Sequence, residues 1–103
     1  MFDVRFLPNP HYQESLRRLA GNSQPVRHFV LGQPATKEFM TRLNEMMDYL
    51  LPQFVAEGKA HLTVALGCTG GKHRSIVLGD ELAEHLRQKG YNVNVRHRDV
   101  GKE

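Results

Sequence analysis

The chain has 103 residues, 40% hydrophobic and 24% charged, with 14 Lys and Arg against 11 Asp and Glu. That length suits one small domain with a modest core. The composition excludes a low-complexity or disordered chain, and no apolar run is long enough to cross a membrane as a helix. The net charge of +3 permits an anionic partner without naming one. A single cysteine excludes an internal disulfide, in keeping with a reducing, cytoplasmic setting.

Residues 2–7 alternate apolar and polar directly behind Met1, which predicts a strand. No signal peptide pattern opens the chain, and the abrupt start is expected of a domain cut from a longer protein. Pro8, Asn9 and Pro10 stop the strand, because each proline removes a donor and stiffens the exit. A short helix over about residues 11–19 is expected next, ended by Gly21 and Asn22. Pro25 suits the first turn of another brief helix reaching Leu31. Gly32, Gln33 and Pro34 break it.

The strongest helical pattern follows. Thr36 is a plausible N-cap, and Phe39, Leu43, Met46, Met47, Leu50 and Phe54 recur at three- and four-residue spacing. The Met46–Met47 pair reads as core. Pro52 falls inside the pattern, which predicts a kink or a break, and Gly58 ends the helix. Residues 61–67 are continuously apolar and read as a central strand buried on both faces. A third long helix is expected over about residues 73–89, burying Ile76, Leu78, Leu82, Ala83 and Leu86, with Gly90 closing it. Tyr91, Asn92, Val93, Asn94 and Val95 alternate again as a third strand before a basic tail. The expected fold is α/β: a small, mostly parallel three-stranded sheet flanked by helices.

Parallel strands all finish at one edge, where open α/β domains bind ligands. The segments leaving those ends are Asn9–His11, 68–75 and Arg96–Arg98, so one composite pocket fed by all three is expected. The middle segment carries the chemistry. Cys68, Thr69, Gly70, Gly71, Lys72, His73, Arg74 and Ser75 lie between an apolar strand and a helix N-terminus. Free backbone N–H groups and cations there suit an anion, above all a phosphate. Pure packing does not call for three cations in such a loop.

Several chemistries compete for it. A nucleotide P-loop is excluded, because His73 follows Gly71-Lys72 and Leu66 stands where the first glycine is needed. A cysteine phosphatase is the enzymatic alternative: Cys68 and Arg74 stand five residues apart, with Gly71 and Ser75 placed as in protein tyrosine phosphatases. Gly67, however, stands in place of the usual preceding His, and Asp99 is the sole, weak candidate for a general acid. In a binding loop without chemistry, Thr69, Gly70, Gly71 and the amides cradle a phosphate while His73 and Arg74 neutralise it. No metal site is expected, because the six His form no ligand pair beside a second thiol or carboxylate. Plainer roles stand beside these: Cys68 as a small buried residue, the glycine pair as a tight turn, His11 as a turn closer, and Arg96–Arg98 as a solvated tail.

Together, Asp3–His11, Gly67–Ser75 and Arg96–Arg98 resemble the C-terminal domain of the RapZ/YvcJ family, in order and spacing, over essentially the whole chain. The resemblance implies a single domain over residues 1–103 at the C-terminus of a longer protein. The preceding P-loop domain of that protein binds and slowly hydrolyses ATP or GTP, so this domain needs no cofactor of its own and no catalysis. It implies a sensor of glucosamine 6-phosphate resembling a sugar-phosphate-binding part of phosphofructokinase. It also implies a share in binding a small regulatory RNA, in presenting that RNA to an RNase, and in self-association. Carried over by motif, His11, Cys68, Thr69, Gly70, His73 and Arg74 line the phosphosugar or anion pocket, with Asn9, Gly71, Lys72 and Ser75 beside them. RNA is expected on Arg96, His97, Arg98 and Lys102. The run of Lys and Arg that ends RapZ is replaced here by Asp99–Glu103, and fewer phosphate contacts mean weaker, more salt-sensitive RNA binding.

Overall fold

The structure is a computed structural model. It describes all residues except Ala20, Asn22, Ala60, 68–72 and 97–103, and of His11 the backbone alone. In chain order it contains β1 (Phe2–Asp3), a 3-10 turn (Pro10–Tyr12), α1 (Gln24–Leu31), α2 (Pro34–Glu57), β2 (Leu66–Gly67) and α3 (Arg74–Gln88). The class is α/β, as expected. Among the described residues the sheet has two strands rather than three: β1 and β2 run parallel, with Phe2 beside Leu66 and Asp3 beside Gly67.

The first strand is short for a local reason. The Asp3 carboxylate accepts a hydrogen bond from the Arg5 amide at 3.0 Å, which turns the chain just past Val4, whose N–H still donates to Gly67 C=O. Leu7 N–H then donates to the Val4 carbonyl at 3.1 Å. Val4 and Leu7 thereby enter the core, while Phe6 stays 63% exposed. Its ring meets Phe39 edge-on at 5.7 Å.

The helix expected over residues 11–19 is only the 3-10 turn and a series of turns after it. Pro25 does begin α1, which ends at Leu31. In α2 the N-cap is Gln33, not Thr36. Pro34 supplies the fixed φ of a first turn, so the helix starts earlier and Thr36 lies buried inside it. α2 runs past Pro52 without a break, since Met47, Leu50 and Leu51 tie the flanking turns to the core. Gly58 adopts a left-handed φ of 96° and closes α2, with Lys59 N–H donating to Phe54 C=O. Gly90 does the same after α3 at φ 94°, with Tyr91 N–H on Leu86 C=O.

Val4, Leu7, Val26, Val30, Met40, Leu43, Met47, Val77, Leu78, Leu82 and Leu86 form one core that joins β1 to all three helices. Met46 is a correction: it is half-exposed, because a neighbouring helical residue points about 100° away from Met47. Ion pairs lace the helices at the rim. Arg27 of α1 meets Glu81 of α3 at 2.5 Å, and His85 of α3 meets Asp48 of α2 at 2.8 Å.

The third strand is not formed. Residues 91–96 lie outside any strand, with Tyr91 and Val93 half-buried against the core and Asn92 and Asn94 exposed. The Val93 carbonyl accepts a hydrogen bond from the Arg87 side chain at 3.0 Å instead of joining a ladder. Of residues 61–67 only Leu66 and Gly67 form a strand, and the segment is not buried on both faces: His61, Leu62, Thr63 and Ala65 are exposed, Leu62 by 41%.

Candidate functional site

β2 ends at Gly67 and α3 opens at Arg74, so the candidate loop spans the end of the sheet and the start of a helix. Cys68, Thr69, Gly70, Gly71 and Lys72 lie outside the described residues, as do His97, Arg98, Asp99 and Lys102. The described part of the loop is His73, Arg74 and Ser75. His73 is the N-cap of α3 and is buried. Its Nε2 lies 2.8 Å from the Leu19 carbonyl. A carbonyl only accepts, so Nε2 carries the proton of that bond.

Arg74 occupies the first turn of α3 and is only 3% exposed. Its Nη1 donates to two carbonyls, Arg5 C=O at 2.6 Å and Leu7 C=O at 2.9 Å. Both carbonyls belong to the turn that follows β1. The Nε of the same guanidinium is buried and, among the described residues, has no hydrogen-bond partner. Among the described residues Arg74 is a buried cation that makes no carboxylate ion pair. A buried charge without a counter-charge costs several kcal/mol, on the order of the desolvation penalty of one ion.

These bonds assemble the rim. The stretch containing Asn9 and His11 is pinned at both ends to the first residues of α3, through Leu7 on Arg74 and Leu19 on His73. The half-buried Asn9 opens the 3-10 turn, its carbonyl accepting from Tyr12 N–H at 3.1 Å. The backbone of His11 lies within that turn. Arg96 is exposed and lines one groove together with Gly67 and Ser75. His73, Arg74 and Ser75 thus stand at the start of α3, the first two bonded to the ends of the segment that carries Asn9 and the His11 backbone, while Arg96 lines a groove that Ser75 also lines. Among the described residues no group of three His, Cys, Asp or Glu is placed to hold a metal ion. Among the described residues no helix is long and apolar enough to cross a membrane.

Sequence reasoning missed Asp3 and Arg5. The Arg5 guanidinium binds the Asp3 carboxylate at 2.6–3.0 Å and, chiefly through these hydrogen bonds, holds its pKa below the usual 3.8. The charge on Arg74 lowers it slightly further. The signal was available as an acidic and a basic residue two positions apart, directly before the proline segment.

Comparison with known proteins places this arrangement. The sequence matches the RapZ C-terminal domain over residues 1–101. The chain belongs to the RapZ C-terminal domain family. Among its relatives in that family, a nucleotide-binding protein of Desulforudis audaxviator is 52% identical over 103 residues, which is all of this chain and 35% of the relative. Nucleotide-binding proteins of Desulforamulus reducens and Heliobacterium modesticaldum are 54% and 50% identical over 97% and 100% of this chain, and 34% of each relative is covered. The chain therefore spans about a third of the length of the relatives it matches.

Proposed function

We propose that this domain is a non-catalytic sensing module that binds a phosphorylated small molecule of the glucosamine 6-phosphate type on the 68–75 loop. One observation carries the reading: a guanidinium buried at the first turn of a helix that, among the described residues, makes no direct ion pair and keeps one donor, Nε, unpartnered. An anion at the helix N-terminus supplies the charge and the acceptor that Arg74 lacks, and meets the free amides of the turn. Lys72 adds charge, Thr69 and Ser75 add hydroxyls, Cys68, Gly70 and Gly71 let the backbone approach, and His73, His11 and Asn9 frame the sugar. The family and the nucleotide-binding relatives support placing the module in a longer nucleotide-binding protein. There, ATP or GTP is bound by another domain. This one contributes to binding small RNA through Arg96, His97, Arg98 and Lys102, to RNase recruitment, and to self-association in the cytoplasm.

Isothermal calorimetry with glucosamine 6-phosphate tests the pocket. Lys72→Ala should weaken binding about ten- to a hundredfold, the equivalent of one charge-assisted contact of roughly 1.5–3 kcal/mol. Absence of binding by the unaltered chain, or an unchanged affinity in Lys72→Ala, refutes the assignment. Turnover of p-nitrophenyl phosphate that vanishes in Cys68→Ser would replace it with a phosphatase.

A further inference from the structure

We propose that the groove along the free edge of β2 docks an extended peptide, apolar at alternate positions and acidic at both ends, which adds a strand to that edge. The proposal is independent of the sugar-phosphate reading, because it draws on neither Arg74 nor His73.

The register of the sheet leaves the edge open. Ala65 C=O and Gly67 C=O accept from Phe2 and Val4 N–H at 2.8 Å, so both face β1. Backbone groups alternate sides along a strand, so those of Val64 and Leu66 face the opposite way. Among the described residues no strand pairs with them. Free N–H and C=O groups in a row are a template for a strand from another chain. The groove beside them measures about 1150 Å³ and is lined by residues 61–67, by residues 91–96 and by Leu82, Ala83 and Leu86 of α3.

The chain's own segment 91–96 is fastened aside. Tyr91 N–H donates to Leu86 C=O at 3.1 Å, and Val93 C=O accepts from the Arg87 side chain at 3.0 Å. The Tyr91 and Val93 side chains pack against the core. Room is left for an occupant from outside, and the lining calls for an apolar one. Val64 and Leu66 are only half-buried, and Leu62 and Val95 are 41% and 37% exposed. Alternate side chains of an added strand would cover them. At roughly 3.3 Å per residue, a strand lying along 61–67 has about seven residues.

Charge selects among such peptides. The acidic and basic residues that line the groove, His61 aside, are Asp3, Arg5, Lys59 and Arg96. Asp3 and Arg5 neutralise each other in an ion pair of 2.6 Å. Lys59 and Arg96 are exposed and, among the described residues, make no ion pair. The helix α3 starts beyond the end of β2 and carries the chain back, so 91–96 runs in the same sense as 61–67. Lys59 therefore stands at one end of the groove and Arg96 at the other. A peptide with a carboxylate near each end meets both cations, and a basic peptide is repelled by both. A nucleic acid has charge but no peptide ladder to pair with Val64 and Leu66, so the open edge favours a peptide.

Fluorescence anisotropy on the full chain at low salt tests this with two labelled, terminally capped peptides of about seven residues. Valine and threonine alternate in both, between end residues that are Glu in one and Lys in the other. The Glu-ended peptide should bind at least tenfold more tightly. Lys59→Glu should erase that preference, because each peptide then meets one like and one unlike charge. Adding Arg96→Glu should reverse it. Hydrogen exchange at the Val64 and Leu66 amides should slow at least tenfold with the Glu-ended peptide bound. Failure of both peptides to bind, equal binding, a preference indifferent to the substitutions, or binding that leaves both amides unchanged overturns the proposal. Amides protected before any peptide is added mean that the edge is already covered, by 91–96 or, where protection rises with protein concentration, by a second copy. Either result overturns it, as does a single-stranded oligonucleotide that protects the same two amides in place of the peptide.

Discussion

Replacing Arg74 with Met separates the structural work of this side chain from its charge. Met keeps an apolar stem of similar reach but removes the two donors to Arg5 C=O and Leu7 C=O. Two charge-assisted bonds at roughly 1.5–3 kcal/mol each set the gross loss at about 3–6 kcal/mol. Part of it returns, because the variant no longer buries a cation whose Nε is unpartnered, a burden of about 1–3 kcal/mol. Arg5 is exposed and its carbonyl can turn to water, whereas Leu7 is 2% exposed and its carbonyl is left wanting. A net destabilisation of about 2–3 kcal/mol follows, which lowers the melting temperature by roughly 8–24 °C in a domain of this size. Thermal unfolding followed by circular dichroism measures it, and Arg74→Lys should fall between the two, since Lys keeps the charge without the fork. Glucosamine 6-phosphate at a hundredfold excess over its Kd should stabilise the unaltered chain by about 2.7 kcal/mol and the Met variant far less. An unchanged or raised melting temperature in Arg74→Met would show that the carbonyl contacts hold nothing together.

Other substitutions test the packing around this site. Thr36 is 1% exposed and its hydroxyl has no partner, so Thr36→Val should raise stability by about 1 kcal/mol in urea unfolding. Leu78→Ala, at a fully buried core position, should cost about 2–5 kcal/mol by the same measurement. Gly58→Ala forces a side chain into a φ of 96° and should cost about 1–2 kcal/mol without disturbing any neighbour. The Asp3 carboxyl should titrate below 3.8 by NMR, and Arg5→Ala should raise it toward that value, because the guanidinium bonds are lost while the backbone amide of position 5 and the Arg74 charge remain. A folded pKa below the unfolded one means that the pair stabilises above about pH 4 and that this contribution fades as the pH falls through the folded value. A normal Asp3 titration in the unaltered chain would remove the turn-closing role assigned to the pair.

The long helices were legible because their signals are local. Three- and four-residue spacing, prolines in first turns and glycines at the ends are read within one segment, and α1, α2 and α3 follow them closely. The strands were less legible because a ladder needs a partner. Tyr91 and Val93 do turn inward while Asn92 and Asn94 turn out, so the alternation is real, yet the segment is not hydrogen-bonded to β2. Residues 2–7 failed for a different reason: the Asp3 side chain holds the Arg5 amide and turns the chain just past Val4, whose N–H still donates to β2. At the candidate site, the pattern of glycines and cations marked the start of α3. That Arg74 would be spent largely on carbonyls 67 and 69 positions away could not be read, because burial of a charge depends on contacts distant in sequence.

Two strands of two residues each supply little ladder, and a lone two-stranded pair is marginal in water. The N-terminal stretch must therefore be held to the rest by other means. Val4 and Leu7 in the core do part of this, and Arg74 and His73 do the rest by gripping carbonyls at both ends of residues 7–19. The residues best placed to meet an anion are thus also those that fasten the chain's first segment. Any loss of binding in an Arg74 or His73 variant mixes the two causes. Arg96 is exposed and fastens nothing of that kind, so Arg96→Ala isolates charge from architecture: its melting temperature should stay put while its affinity for the sugar phosphate falls. A variant that loses both together would mean that Arg96, too, is part of the fold.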